Sequence, residues 1–248
     1  MQRALGRLQP LLRAMSHRAH LDLSKYSSCE VSDALIKLGV PTGGHIPDVH
    51  MLSPAAGEGD DTRICGPAYT VQMVLGSDTA APKLAAHFVD TVPSGSVIVI
   101  AAPPRSVKNA VWGGLMTAGA LTRGALGVII SGRCRDLAEH RSANFPVFAR
   151  GHSTLGQSPF TRPSAVNVPV VIAPEGVTPG SEGAFPPTEV NPGDWMLADE
   201  DGVVCVPSHL VEQVLELAQK GRDVDARCLV DIRVGLGVQE AFKRHRGK

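Results

Sequence analysis

Aromatic side chains are scarce in this chain, at 4% of its 248 residues, which argues against a base-stacking platform for nucleic acid. Neither sign of charge is in excess: 24 Lys and Arg balance 24 Asp and Glu, so no global field draws the chain to nucleic acid. No apolar run approaches the roughly 20 residues that a membrane span needs. The five cysteines (Cys29, Cys65, Cys134, Cys205 and Cys228) are scattered without a Cys-x-x-Cys pair, and the nine histidines are dispersed. That pattern excludes a structural zinc module, argues against a disulfide framework, and points to a reducing compartment. Dinucleotide, phosphate-loop and nucleophile-elbow motifs are missing as well. What is there is an ordinary globular composition, 43% hydrophobic and 19% charged, long enough for one large domain or two small ones.

Carboxylates are absent from the first twenty residues, where Arg3, Arg7, Arg13 and Arg18 alternate with Leu5, Leu8, Leu11, Leu12 and Met15. Such a stretch has the pattern of a mitochondrial transit peptide or of a plain basic arm. Residues 1–22 are therefore set apart from a single α/β domain over 23–248, and the expected location is cytoplasmic or mitochondrial.

Local signals outline that domain. Ser27 and Glu30 fit a capping box, with Val31, Ala34, Leu35 and Leu38 on one helical face and Gly39 and Pro41 as the stop. Strands are expected over 62–75, 96–101, 128–130, 146–149 and 166–172. A helix is expected from Pro82 to about Val89, and another from Ala110 to Thr122 with Asn109 as its cap. Trp195–Asp199 and Val203–Val206 flank Glu200-Asp201-Gly202 as a hairpin, and Pro207 opens a long helix. The acids around that turn, Asp199, Glu200 and Asp201, read as turn chemistry or as a cluster that reaches an active site. Residues 174–188, with four prolines and three glycines, read as an exposed Pro/Gly-rich insertion. The basic run 243–246 reads as a solvated helix end. No internal repeat is present.

One stretch carries chemistry. The β-branched run Val128-Ile129-Ile130 suits a buried strand, Gly132 is expected to turn the backbone, and Asp136 to His140 reads as the first turn of a helix. Open α/β sheets bind ligands beyond the carboxyl ends of their strands. There, Arg135 offers a planar fork for a carboxylate or phosphate, and Asp136 offers hard oxygens for Mg2+ or Mn2+. The same pair also fits plain capping, with Asp at the positive end of the helix dipole and Arg solvated. Cys134 reads as a structural thiol, and His140 follows the aspartate by one helical turn. A second element is Trp112-Gly113-Gly114-Leu115-Met116, at the start of the helix expected from Ala110. Two glycines there leave amides open to an anion, or else allow close helix–strand packing.

Six segments then occur in order: Val31–Leu35, Ala110–Met116, Gly132–Asp136, Phe145–Gly151, Val166–Val170 and Ala198–Val204. Together they resemble the family of 4-hydroxy-4-methyl-2-oxoglutarate aldolases and regulator-of-ribonuclease-E-activity-A-like (RraA-like) proteins, over roughly residues 27–220. The resemblance implies a swivelling α/β/β domain assembled as a ring-shaped homotrimer or as a dimer of trimers, a homohexamer. It implies a class II, metal-dependent lyase of small 2-oxo acids, an aldolase or oxaloacetate decarboxylase releasing pyruvate, with Mg2+ or Mn2+ as cofactor. It also implies that Gly113, Gly114, Leu115 and Met116 contact substrate, that Arg135 holds the substrate carboxylate, and that Asp136 binds the metal. One departure stands out. The aldolase branch carries Asp or Glu where this chain has Gly114, which favours decarboxylation over aldol cleavage and leaves no obvious general base beyond a metal-bound water. The other reading of the resemblance is a non-catalytic regulatory binding protein. Neither reading calls for a nucleic-acid or membrane partner.

Overall fold

All five side chains of the strand Val97–Ala101 are buried, as β-branched residues are when a parallel strand is covered on both faces. The computed structural model describes residues 22–55, 62–103, 107–176, 181 and 184–247. Its strands are β1 (His50–Ser53), β2 (Ile64–Leu75), β3 (Val97–Ala101), β4 (Ala110–Trp112), β5 (Gly127–Cys134), β6 (Val147–His152), β7 (Thr161–Val166), β8 (Val170–Ile172), β9 (Thr188–Val190), β10 (Trp195–Asp199) and β11 (Gly202–Val206). Nine of them form one sheet, ordered β1-β6-β5-β3-β2-β10-β11, with β4 beside β5 and β7 beside β2. Its centre, β2, β3, β5 and β6, is parallel. β8 and β9 pair separately; of the expected insertion 174–188, Thr188 begins β9, and residues 177–180, 182 and 183 lie outside the described residues.

The helices are α1 (Ser28–Lys37), α2 (Gly114–Arg123), α3 (Leu137–Ser142), α4 (Val211–Arg233) and α5 (Val238–Arg246). Alternation along the central strands sorts the core into layers. Ile98, Ile100, Val128 and Ile130 face Trp112, Phe88 and Phe145, on the side where Met116 of α2 and Leu137 of α3 pack. Val97, Val99 and Ile129 face Met196, Ala198 and Val203 of the β10–β11 hairpin, with Ile172 and Val190 of the β8–β9 pair. The hairpin's other face, Leu197, Val204 and Val206, takes α1 and α4. The α/β/β layering is thus built from strands that each serve two cores.

The α1 capping box is present, with Ser27 Oγ accepting from the Glu30 amide and Glu30 accepting from the Ser27 amide. Five local expectations are corrected. No helix follows Pro82: the guanidinium of Arg162 gathers the carbonyls of Asp78, Ala81 and Pro82, and only a short 3-10 turn forms at Phe88–Thr91. The helix expected from Ala110 begins at Gly114, because residues 110–112 pair with β5 as a strand. Asn109 is buried and donates to Thr161 Oγ1 instead of capping. Gly132 does not turn the chain, since β5 runs on through Cys134. The stretch 166–172 is broken by Asn167 in a left-handed conformation.

At the C-terminus, Arg244 and His245 pair with Asp231, and Arg246 pairs with Asp225, so the basic run folds back onto α4. Residues 1–21, with the possible transit peptide, lie outside the described residues. Among those described, no helix is long and apolar enough to cross a membrane.

Candidate active site

Two helices begin side by side at the carboxyl edge of the parallel strands, α2 after β4 and α3 after β5. The second start is made by Asp136, whose φ of 62° and ψ of 41° lie in the left-handed region that Asp and Asn tolerate better than other side chains. Asp136 stands at the N-cap of α3, yet its side chain caps nothing there. Its Oδ2 instead accepts the Gly114 amide at 2.9 Å, capping the neighbouring helix α2. Arg135 is held by its amide to the Trp112 carbonyl at 3.0 Å. Its Nε lies 3.4 Å from Asp136 Oδ2, and its Nη1 runs along Gly156.

The two glycines now have a reason that neither sequence reading supplied. A Cβ on Gly113 would stand 2.7 Å from Asp136 Oδ2 and 3.3 Å from Arg135 Nε. A Cβ on Gly114 would overlap Glu139 Oε2 and stand 2.5 Å from its Cδ. The α2 start is bare of side chains because carboxylates of α3 lie over it. Glu139, which sequence reasoning missed, fills the space that a side chain at position 114 would take. A signal was available: three residues past Asp136 on a helix is the same face.

The other candidate residues separate. Leu115 points outward, 90% exposed, whereas Met116 packs inward against the core. Cys134 is fully buried, and burial pushes its thiol up to about 11, as befits a structural thiol. His140 is also fully buried and bonds Thr117, with burial lowering its pKa. Asp199 is remote from the site. It ends β10, which pairs antiparallel with the start of β2, at the opposite edge of the sheet. Its carboxylate accepts from the Ser28 amide, the Ser28 hydroxyl and the Asp201 amide, so it is turn and capping chemistry.

The site therefore joins one exposed guanidinium, two exposed carboxylates and the positive end of a helix. Asp136 and Glu139 are hard oxygen donors on one helical turn, a donor set that suits Mg2+ or Mn2+. No group of three or more metal-ligating side chains occurs among the described residues. A cation here would complete its shell from water or substrate, as Mg2+ commonly does.

The RraA-like family model, described as Aldolase/RraA, matches residues 28–205. The protein DlpA of Legionella pneumophila is 31% identical over 217 residues, 87% of this chain. This chain spans 32% of DlpA's length. A protein of Halalkalibacterium halodurans named "Putative 4-hydroxy-4-methyl-2-oxoglutarate aldolase" is 33% identical over 169 residues, 68% of this chain and 71% of its own. Among solved structures, an uncharacterized protein from Pseudomonas syringae superposes with a TM-score of 0.71 at 31% identity, covering 90% of this chain and 96% of that one. Streptomyces coelicolor RraAS2, described as an unusual member of the RNase ES inhibitor RraA family, superposes with a TM-score of 0.65 at 22% identity, covering 82% and 91%. At that identity the likeness speaks for the fold.

Proposed function

Because this chain belongs to the Aldolase/RraA family of RraA-like proteins, we propose that it is a divalent-metal-dependent carbon–carbon lyase of small 2-oxo acids. The observation that carries this reading is the convergence of Arg135, Asp136 and Glu139 on the bare start of α2. Arg135 is the carboxylate clamp, since its fork donates two parallel hydrogen bonds to a planar anion. The first-turn amides of α2 add preorganised positive potential beside it. Asp136 would hold Mg2+ or Mn2+, with water and substrate completing the shell. When bound, the cation supplies positive charge against the enolate that carbon–carbon cleavage leaves on pyruvate.

Two reactions share that enolate. In oxaloacetate decarboxylation the bond to the departing carboxylate breaks, and its electron pair becomes the enolate as carbon dioxide leaves. In cleavage of 4-hydroxy-4-methyl-2-oxoglutarate the 4-hydroxyl must also lose its proton, and the fragments are two pyruvates. Glu139, exposed and over the α2 start, supplies a carboxylate for that proton. Gly114 therefore does not by itself deprive the site of aldol chemistry. A non-catalytic regulator remains the other reading, with the absence of a carboxylate at 114 as its support, but Glu139 weakens that support.

The test is pyruvate release from each substrate with and without Mg2+ or Mn2+, beside an EDTA control. Metal-dependent release, abolished by EDTA, is expected. Release no faster than the free metal alone gives would leave the regulator.

A further inference from the structure

Behind the exposed groups, the two helix starts are joined a second time. One turn into α2, Thr117 lies four residues beyond Gly113, and one turn into α3, His140 lies four beyond Asp136. Thr117 Oγ1 and His140 Nδ1 are 2.9 Å apart, and the Trp112 indole donates to the same hydroxyl oxygen at 2.9 Å. Trp112 and Thr117 are 1% exposed and His140 is 0%. The outer tie, Asp136 to the Gly114 amide, is open to solvent and uses a carboxylate that the proposed chemistry needs for a cation. The inner tie involves no group that meets substrate. His140 Nε2 has no partner among the described residues, so the ring is oriented by Thr117 at Nδ1, beside the backbone of Arg135.

We propose that Thr117 and His140 are positioning residues, a buried joint between α2 and α3 that fixes Asp136 and Glu139 over the start of α2. This rests on the lyase reading for its consequence but not for its geometry. Two helices tied only at their exposed ends can splay when Asp136 turns from the Gly114 amide toward a cation. A hydrogen bond out of water resists that splay, because breaking it strips a buried ring nitrogen of its partner and leaves the Thr117 hydroxyl with the Trp112 indole alone.

The informative comparison is Thr117→Ser against Thr117→Ala, since both lack the γ-methyl and differ by the hydroxyl alone. Mn2+ affinity by calorimetry, exchange of the Gly114 amide proton and thermal unfolding would be measured on the full chain. With a folded Thr117→Ala, Mn2+ affinity is expected to fall about 10- to 100-fold relative to Thr117→Ser, the range found for outer-shell partners of metal ligands. The Gly114 amide should exchange faster, and Thr117→Ser should stay close to wild type. A purely structural role would lower the unfolding temperature while leaving Mn2+ affinity and Gly114 exchange alike in both variants, and that result overturns the joint. If wild type neither binds Mn2+ nor releases pyruvate, the lyase reading falls, and Gly114 exchange alone then decides the joint. Should Thr117→Ala not fold, Thr117→Val fills the lost volume without the hydroxyl and is compared in its place. Failure of both to fold makes the bond a requirement of the fold and counts against positioning.

Discussion

Asp136 illustrates how one side chain serves two helices. It begins α3 by its backbone and caps α2 by its carboxylate. Asp136→Ala is expected to keep the fold, because the carboxylate is about one-third exposed, loss of a cap costs about 1 kcal/mol, and alanine at this left-handed φ costs roughly 1–2 kcal/mol more. Metal-dependent pyruvate release should nevertheless vanish. Retention of more than about a tenth, a barrier change under about 1.4 kcal/mol, would contradict its role as metal ligand. Glu139 gives a sharper prediction. General-base assistance is typically worth about 100- to 10,000-fold, and only the aldol substrate has a hydroxyl proton to lose. Glu139→Ala should depress aldol cleavage by about 100-fold more than oxaloacetate decarboxylation. Gly114 is not in the left-handed region, so its backbone accepts an aspartate; in Glu139→Ala the Cβ of residue 139 still lies 3.1 Å from the new Cβ and must shift by a few tenths of an ångström. Gly114→Asp in the Glu139→Ala background should recover part of the aldol activity, whereas Gly114→Asp alone crowds two carboxylates into one space. Equal loss on both substrates in Glu139→Ala would show that the residue does not handle that proton.

Among the elements, α1 and α4 are held by a bidentate pair. Arg222 Nε and Nη2 each donate to Glu30 at 2.6 Å, and the guanidinium also stacks on the Tyr26 ring. The hydrogen bonds from Arg222 hold the Glu30 carboxyl below its ordinary 4.5. A group whose folded pKa is depressed stabilises the fold fully above its unfolded value and loses that contribution as pH falls through the folded one. The wild-type unfolding temperature should therefore exceed that of Glu30→Gln at neutral pH. The gap should close as pH drops below about 4.5. A gap unchanged down to pH 3 would mean that the pair contributes nothing through ionisation. The same scale shows where local patterns mislead. The stretch from Pro82 to about Val89 reads as a helix from its opening proline, but the Ala81 and Pro82 carbonyls that its first turn would use are taken by Arg162, far along the chain. A capping box, by contrast, is complete within four residues, and that of α1 was legible.

For the whole molecule, the site's position at an edge has a consequence. Leu115, 90% exposed, stands beside charged groups that would work in open water on this single chain. Carbon–carbon cleavage through an enolate gains from exclusion of water, and an exposed leucine at the mouth is an apolar surface for a neighbouring subunit to cover. We therefore expect a homotrimer or homohexamer with subunits meeting at this edge. Sedimentation of wild type should give a multiple of three chains, and Leu115→Asp should weaken that assembly without unfolding the protomer. A stable wild-type monomer at micromolar concentration refutes this.

The sequence by itself determined whatever depends on neighbours in the chain. The β-branched runs of β3 and β5, the capping box at Ser27, the Asp-Gly hairpin and the juxtaposition of Arg135 with Asp136 are all settled within a few residues, where propensity and hydrogen-bond reach act directly. Only the tertiary structure decided how the helix starts meet. It turned Asp136 away from its own helix toward Gly114, laid Glu139 where a side chain at 114 would go, drew residues 110–112 into the sheet, and put Asp199 at the far edge. The physical reason is the same each time. A carboxylate or an amide takes the partner nearest in space, and distance in space between segments follows from sheet order and helix packing, neither of which a run of residues encodes alone.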